Sequence, residues 1–206
     1  MISLYDIIKS IATSVLATLY YSFWSSMLVA FFSMFVYMYC HCTQQNEKSY
    51  KSAVADWIDQ FKHSVRFRKI FCCNFLFAMI LFRTLLNRDL WGNPLSDVMG
   101  GWWIWKTSSD GTVKLTTECF ENMALMFPFV IAFLWAEEER ILKRVTFQKV
   151  ILISAKLSFF FSLTIEFLQL FLRVGTFQFS DIFYNTTGGI LGGIVYWIVC
   201  RIKNKC

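Results

Sequence analysis

Five apolar blocks dictate what this chain can become: Ile11 to Tyr39, Ile70 to Leu86, Cys119 to Trp135, Val150 to Leu172 and Ile182 to Cys200, each set off by clusters of charge. At about 1.5 Å per residue, each can cross a hydrocarbon core of about 30 Å as a helix. Only 17% of the residues are charged and 56% are apolar, against about 25% charged in a soluble domain. The expected fold is therefore all-α, a polytopic integral membrane bundle of about five transmembrane helices. The first block is too long for a signal-peptide apolar region, has no basic flank beyond Lys9, and shows no small-residue cleavage site before His41. It is expected to stay as a long or tilted span. Residues 1–69 then form an N-terminal helix with a basic amphipathic segment, and residues 70–206 form a four-helix transmembrane unit.

Basic residues in short loops remain cytoplasmic, so their distribution predicts an orientation. Lys48, Lys51, Lys62, Arg66, Arg68 and Lys69 follow the first block, Arg140, Lys143, Arg144 and Lys149 the third, and Arg201, Lys203 and Lys205 the fifth. The opposite loops hold only Lys9, Arg88, Lys106, Lys114 and Arg173. This predicts the N-terminus outside and the C-terminus cytoplasmic. The net charge of +6 then needs no nucleic acid, because the orientation signal and attraction to an anionic leaflet account for it.

Cys40, Cys42, Cys72, Cys73, Cys200 and Cys206 fall at the ends predicted to be cytoplasmic, and Cys119 stands alone at the other. No disulfide is expected. The Cys40-His41-Cys42 run with Cys72 and Cys73 matches no standard zinc spacing, so no metal and no cofactor is expected either. Between the first two blocks, Val54, Trp57, Ile58, Phe61 and Val65 recur at helical spacing opposite Lys51, Lys62 and Arg66. That pattern predicts a basic amphipathic helix on the inner leaflet. Pro128 should free the carbonyl of Ala124 and bend the third span. The tryptophans Trp91, Trp102, Trp103 and Trp105 read either as an interfacial belt or as a lid over a ligand.

The polar residues inside the spans gather at one depth. Arg83 and Asn87 end the second span, Glu118, Glu121 and Asn122 start the third, Glu166, Gln169 and Arg173 end the fourth, and Asp181 and Asn185 start the fifth. All belong to the half predicted to face outward. Spacings of three and four place Glu166, Gln169 and Arg173 on one stripe, and pair Asp181 with Asn185 and Glu118 with Asn122. Gly188, Gly189, Gly192 and Gly193 continue the fifth span as two overlapping G-x-x-x-G patterns, which let it approach a neighbour closely. The fourth span, joined to it by a short turn, is the expected neighbour. Four helices thus contribute to one polar cup in which Arg83 and Arg173 can pair with Glu118, Glu121, Glu166 and Asp181. A packing network of ion pairs is the competing reading.

The run IEFLQLFLRVGTFQFSDIFYNTTGGILGGIVYW resembles the signature of the VanZ-like membrane proteins, with its Glu-x-x-Gln helix, arginine-bearing turn, and Asp-x-x-x-Asn helix ending in glycines. ENMALMFPF resembles that family's third helix, and LFRTLLNRDLWGNPLSDVMGGW the helix and loop before it, so the likeness runs from about Leu81 to Trp197. The turn departs from the family in carrying Gln178 and Ser180 where further acids often stand. The resemblance implies a bacterial cytoplasmic-membrane protein acting at the outer leaflet and lowering susceptibility to teicoplanin or related lipoglycopeptides. The partners to expect are membrane lipids together with a cell-wall precursor or the antibiotic, and oligomeric state is left open. On physical grounds the cup would bind a polar headgroup or cell-wall precursor, its arginines meeting phosphate or carboxylate and its acids accepting amine or sugar hydroxyls. The alternative is an enzyme using a buried carboxylate as general acid or base on a lipid-linked or cell-wall substrate.

Overall fold

A computed structural model describes residues 3–42, 50–90, 92–102, 104–107, 113–141 and 145–203. Among the described residues six α-helices run in chain order: α1 (Leu4–Cys42), α2 (Tyr50–His63), α3 (Val65–Leu81), α4 (Glu118–Ile141), α5 (Phe147–Leu172) and α6 (Phe179–Ile202). A π-helical turn, Phe82–Leu86, extends α3. All except α2 are long and apolar enough to cross a membrane. The fold is thus the expected all-α bundle. A two-stranded antiparallel ribbon in the loop before α4 pairs β1 (Trp105–Thr107) with β2 (Val113–Leu115).

The outer surface explains the composition. Leu16, Trp24, Phe160, Phe171, Phe183 and Ile198 are exposed, a density of bare apolar side chains that water would not tolerate in a monomer but lipid solvates at no cost. Inside, Met79, Leu125, Met126, Phe129, Val130, Leu134, Val150, Ile165 and Tyr196 form the core. α4 is central, touching α1, α3, α5 and α6, whereas α1 lies at the flank against α3 and α4.

The glycines of α6 meet two neighbours, where the sequence singled out one. A Cβ at Gly188 would stand 2.7 Å from the Met123 Cα and carbonyl oxygen, and one at Gly192 would stand 2.5 Å from the Phe127 carbonyl oxygen, so these two seat α6 on the backbone of α4. Gly189 and Gly193 turn to α5, where Cβ atoms would run into Ser158 and Ser154. Small residues on both sides let three helices close at once. Ser154, Ser158 and Ser162 are fully buried on α5; Ser154 and Ser158 return their hydroxyl protons to the carbonyls of Val150 and Ser154.

The amphipathic pattern after the first block does form a helix, but half of its apolar face is spent inside the molecule. Trp57 of α2 stacks on Phe61 at 5.2 Å and meets Phe31 of α1 and Phe67 and Phe71 of α3, leaving Val54 and Ile58 exposed. Arg68 closes the α2–α3 corner by donating to the carbonyls of Phe61 and Lys62 at 3.0 and 2.6 Å. Pro128 lies within α4, which continues on both sides of it. Cys72, Cys73 and Cys200 are free thiols toward the end where α2 packs, and Cys119 is a free thiol at the start of α4. Trp91, Trp103, Cys206 and the side chains of His41 and Cys42 lie outside what is described.

Candidate functional site

α3 with its π turn ends, α4 begins, α5 ends and α6 begins at the same end of the bundle, so the sequence positions that cap these helices converge there. The acids follow from that convergence. Glu118 and Glu121 occupy the first turn of α4, and Asp181 the first turn of α6, where unpaired N–H groups and the helix dipole favour negative charge. Glu166 reaches the same environment from another helix. Its Oε2 accepts the backbone N–H of Gln178, the N-cap of α6, at 2.7 Å. All four carboxylates therefore have a structural anchor before any arginine is counted.

Arg83 and Glu121 form the central ion pair at 2.7 Å. The π turn carries Arg83, and such turns, with one extra residue per turn, re-aim side chains and recur at functional sites. Glu121 accepts two further bonds, from Thr117 at 2.8 Å and from Thr18 of α1 at 2.9 Å. Asn122 donates to Asp181 at 2.8 Å, and Asn185 donates to Ser162 at 2.9 Å. Gln169 donates to the carbonyl of Thr84 at 2.8 Å, satisfying one of the acceptors that a helix end leaves open. Of the expected cup residues, Arg83, Glu121, Asn122, Glu166, Gln169, Asp181 and Asn185 are thus each hydrogen-bonded, in separate pairs toward this end of the bundle. Glu118 is at its exposed rim.

Arg173 is elsewhere. The stripe on α5 stops at Gln169, because the helix ends at Leu172 and Arg173 takes the left-handed cap conformation, φ 55°, with its side chain exposed. The following Gly175, at φ 81°, completes the turn, and a Cβ there would meet Arg88 Nη1 at 2.9 Å. Arg88, not Arg173, is the arginine set against the α5–α6 turn, where it packs on Gly175. Arg88 is held in by its loop: Leu90 bridges to Val174, Phe177 N–H donates to the Pro94 carbonyl at 2.9 Å, and Phe179 N–H donates to the Val98 carbonyl at 2.9 Å. Gly100, at φ 68°, lies against Gln178 and Ser180 where no side chain would fit, and Tyr184 hydrogen-bonds the Trp102 carbonyl. That loop covers the α5–α6 turn.

Between this loop and the turn lies an open cavity of about 390 Å³ lined by Arg83, Asn87, Arg88, Asp89, Ser96, Asp97, Glu118, Gly175, Thr176 and Gln178. Arg88 Nε is buried and donates to no described residue. A second cavity of about 480 Å³, between α1 and the α3–α4 pair, shares Arg83 and Asn87 with the first. Sequence reasoning missed Arg88, counted there as a loop charge, and it missed the whole contribution of α1. The available signals were Thr18, Ser22 and Ser26 on α1 and Ser154, Ser158, Ser162 and Glu166 on α5, each a run at intervals of four in an apolar block.

A helical bundle of five membrane-length segments, with hydrogen-bonded charged and amide side chains toward one end, defines a multi-pass membrane protein with a polar site. The model of the VanZ/LLP1 family matches residues 16–200, and the chain belongs to that family. The match takes in most of α1, in keeping with the bond from Thr18 to Glu121. Comparison with curated proteins and with solved structures gave no match.

Proposed function

We propose that the protein binds the polar headgroup of a membrane amphiphile or cell-wall precursor in the Arg88 cavity, at the outer leaflet of a bacterial cytoplasmic membrane, and thereby lowers susceptibility to teicoplanin-type lipoglycopeptides. The observation that carries this reading is the Arg88 guanidinium, held at a cavity wall with its Nε buried and unused. A buried donor without a partner forfeits about 1–3 kcal/mol, a cost that a ligand oxygen would recover. Arg83 and Arg88 would meet phosphate or carboxylate, and Asp89 and Glu118, which also line the cavity, would accept amine or hydroxyl protons. The acid–base enzyme reading is weaker on this geometry. Glu121 already accepts three bonds and Glu166 holds the N-cap of α6, so neither can exchange a proton without loosening a helix end. Glu118, the third candidate, lies exposed at the cavity rim and lacks the burial that this reading called for.

The test is teicoplanin susceptibility of a sensitive host carrying the wild type, Arg88→Gln or Arg173→Gln, each checked for folded yield in detergent. Arg88→Gln should lose the protection and Arg173→Gln should keep it. Full protection by a well-folded Arg88→Gln protein would refute the assignment.

A further inference from the structure

The second cavity has a lining of a different kind. α1 contributes Ser14, Ala17, Thr18, Tyr21 and Ser22, and the facing wall is Arg83, Asn87 and Glu121. Apart from Ala17 and the Arg83–Glu121 pair, these are hydroxyls and an amide, groups that both donate and accept. Ser22 is 1% exposed and its hydroxyl bonds to no described residue, although its neighbours one turn away on either side, Thr18 and Ser26, are both bonded. Asn87 gives its backbone N–H to Phe82, and its side chain bonds to no described residue. A buried hydroxyl left open beside a 480 Å³ space is a donor and acceptor waiting for a polar atom.

Tyr21, which lines the cavity, is 76% exposed, and Trp24 beside it on α1 is exposed as well. α1 is a membrane-length helix at the flank of the bundle, so its uncovered side meets lipid. We propose that this cavity receives the hydroxyl-rich head of a membrane glycolipid, entering laterally between α1 and α3, with sugar hydroxyls shared among Ser22, Ser14 and Asn87, and the ring against Tyr21. The site goes beyond the anion site and is separable from it, because Arg88 lines only the first cavity and Ser22 only the second.

The experiment measures binding to the full chain in nanodiscs by native mass spectrometry. The probes are monoglucosyl diacylglycerol, diacylglycerol with the same acyl chains, and methyl glucoside. The glucosyl lipid should be retained over diacylglycerol, and methyl glucoside should not compete at equal concentration. Ser22→Ala should weaken glucosyl-lipid retention about fivefold, the worth of one hydrogen bond, and Ala17→Leu, which fills the cavity from α1, should weaken it further. Arg88→Gln should leave it unchanged. Equal retention of diacylglycerol, competition by methyl glucoside, or wild-type retention by folded Ser22→Ala would each overturn the proposal. Loss of phosphate-lipid binding in Arg88→Gln with glucosyl-lipid binding intact separates this site from the anion site.

Discussion

At the residue scale the site divides into groups that hold the helices together and groups with bonding capacity to spare. Glu166 belongs to the first kind. It is 1% exposed and caps the N-terminus of α6 through Gln178. Glu166→Ala should therefore destabilise the fold by roughly 1–3 kcal/mol, the cost of a buried N–H left without its acceptor, and should lower the melting temperature in detergent. Glu166→Gln retains a carbonyl oxygen for that N–H and should melt closer to wild type. Equal melting of the alanine variant and wild type would show that the cap is not needed. Arg173 has neither role: it is exposed and sits in a left-handed cap that costs a non-glycine residue about 1–2 kcal/mol. Arg173→Gly should raise the melting temperature slightly. A fall would reveal a contact that the exposed guanidinium makes with something outside the chain.

At the scale of elements, the glycine rows of α6 make different demands on their neighbours. Gly189 faces the side chain of Ser158, whereas Gly188 faces the backbone of Met123. Gly189→Ala should destabilise the bundle and be largely rescued by Ser158→Gly, which removes both clashing atoms. Gly188→Ala should have no comparable side-chain rescue. Thermal melting of the two single variants and the double variant checks this, and failure of Ser158→Gly to restore Gly189→Ala would mean that α5 and α6 pack differently. The glycines were legible in the sequence because four small residues at helical spacing announce close approach. Their two partners were not, because which helix lies behind each row depends on the rotation of α6 between α4 and α5. The same limit applied to Arg88. Its position depends on the left-handed Gly175 and on the pairing of Pro94 with Phe177, contacts across more than 80 residues that no local spacing encodes. By contrast, Arg83 and Glu121, and Asn122 and Asp181, were legible as a shared depth because charge in an apolar block must find a partner.

At the scale of the molecule, the five spans were readable from length and hydropathy alone, while α1's part in the site was hidden in an apolar block with sparse hydroxyls. Its direction in the membrane is a proposal that rests on the basic loops, and cysteine labelling tests it. With the native cysteines replaced, a cysteine at Ser96, beside the first cavity, should react with an impermeant reagent in whole cells, and one at Gln60 on α2 should not. The reverse pattern would turn the cavity toward the cytoplasm and remove the account of antibiotic protection.

The central claim is that Arg88 waits for an oxygen anion, and direct binding tests it best. The full chain, purified in detergent, is exposed to phosphatidylglycerol, phosphatidylethanolamine and diacylglycerol of matched chains, and retained lipid is read by native mass spectrometry. The account predicts retention of the phosphate-bearing lipids over diacylglycerol and at least about a tenfold loss of that retention in Arg88→Gln, as expected for a charged hydrogen bond worth about 1.5–3 kcal/mol. Equal retention of all three lipids, or a folded Arg88→Gln protein that holds phosphate lipids as wild type does, would contradict it.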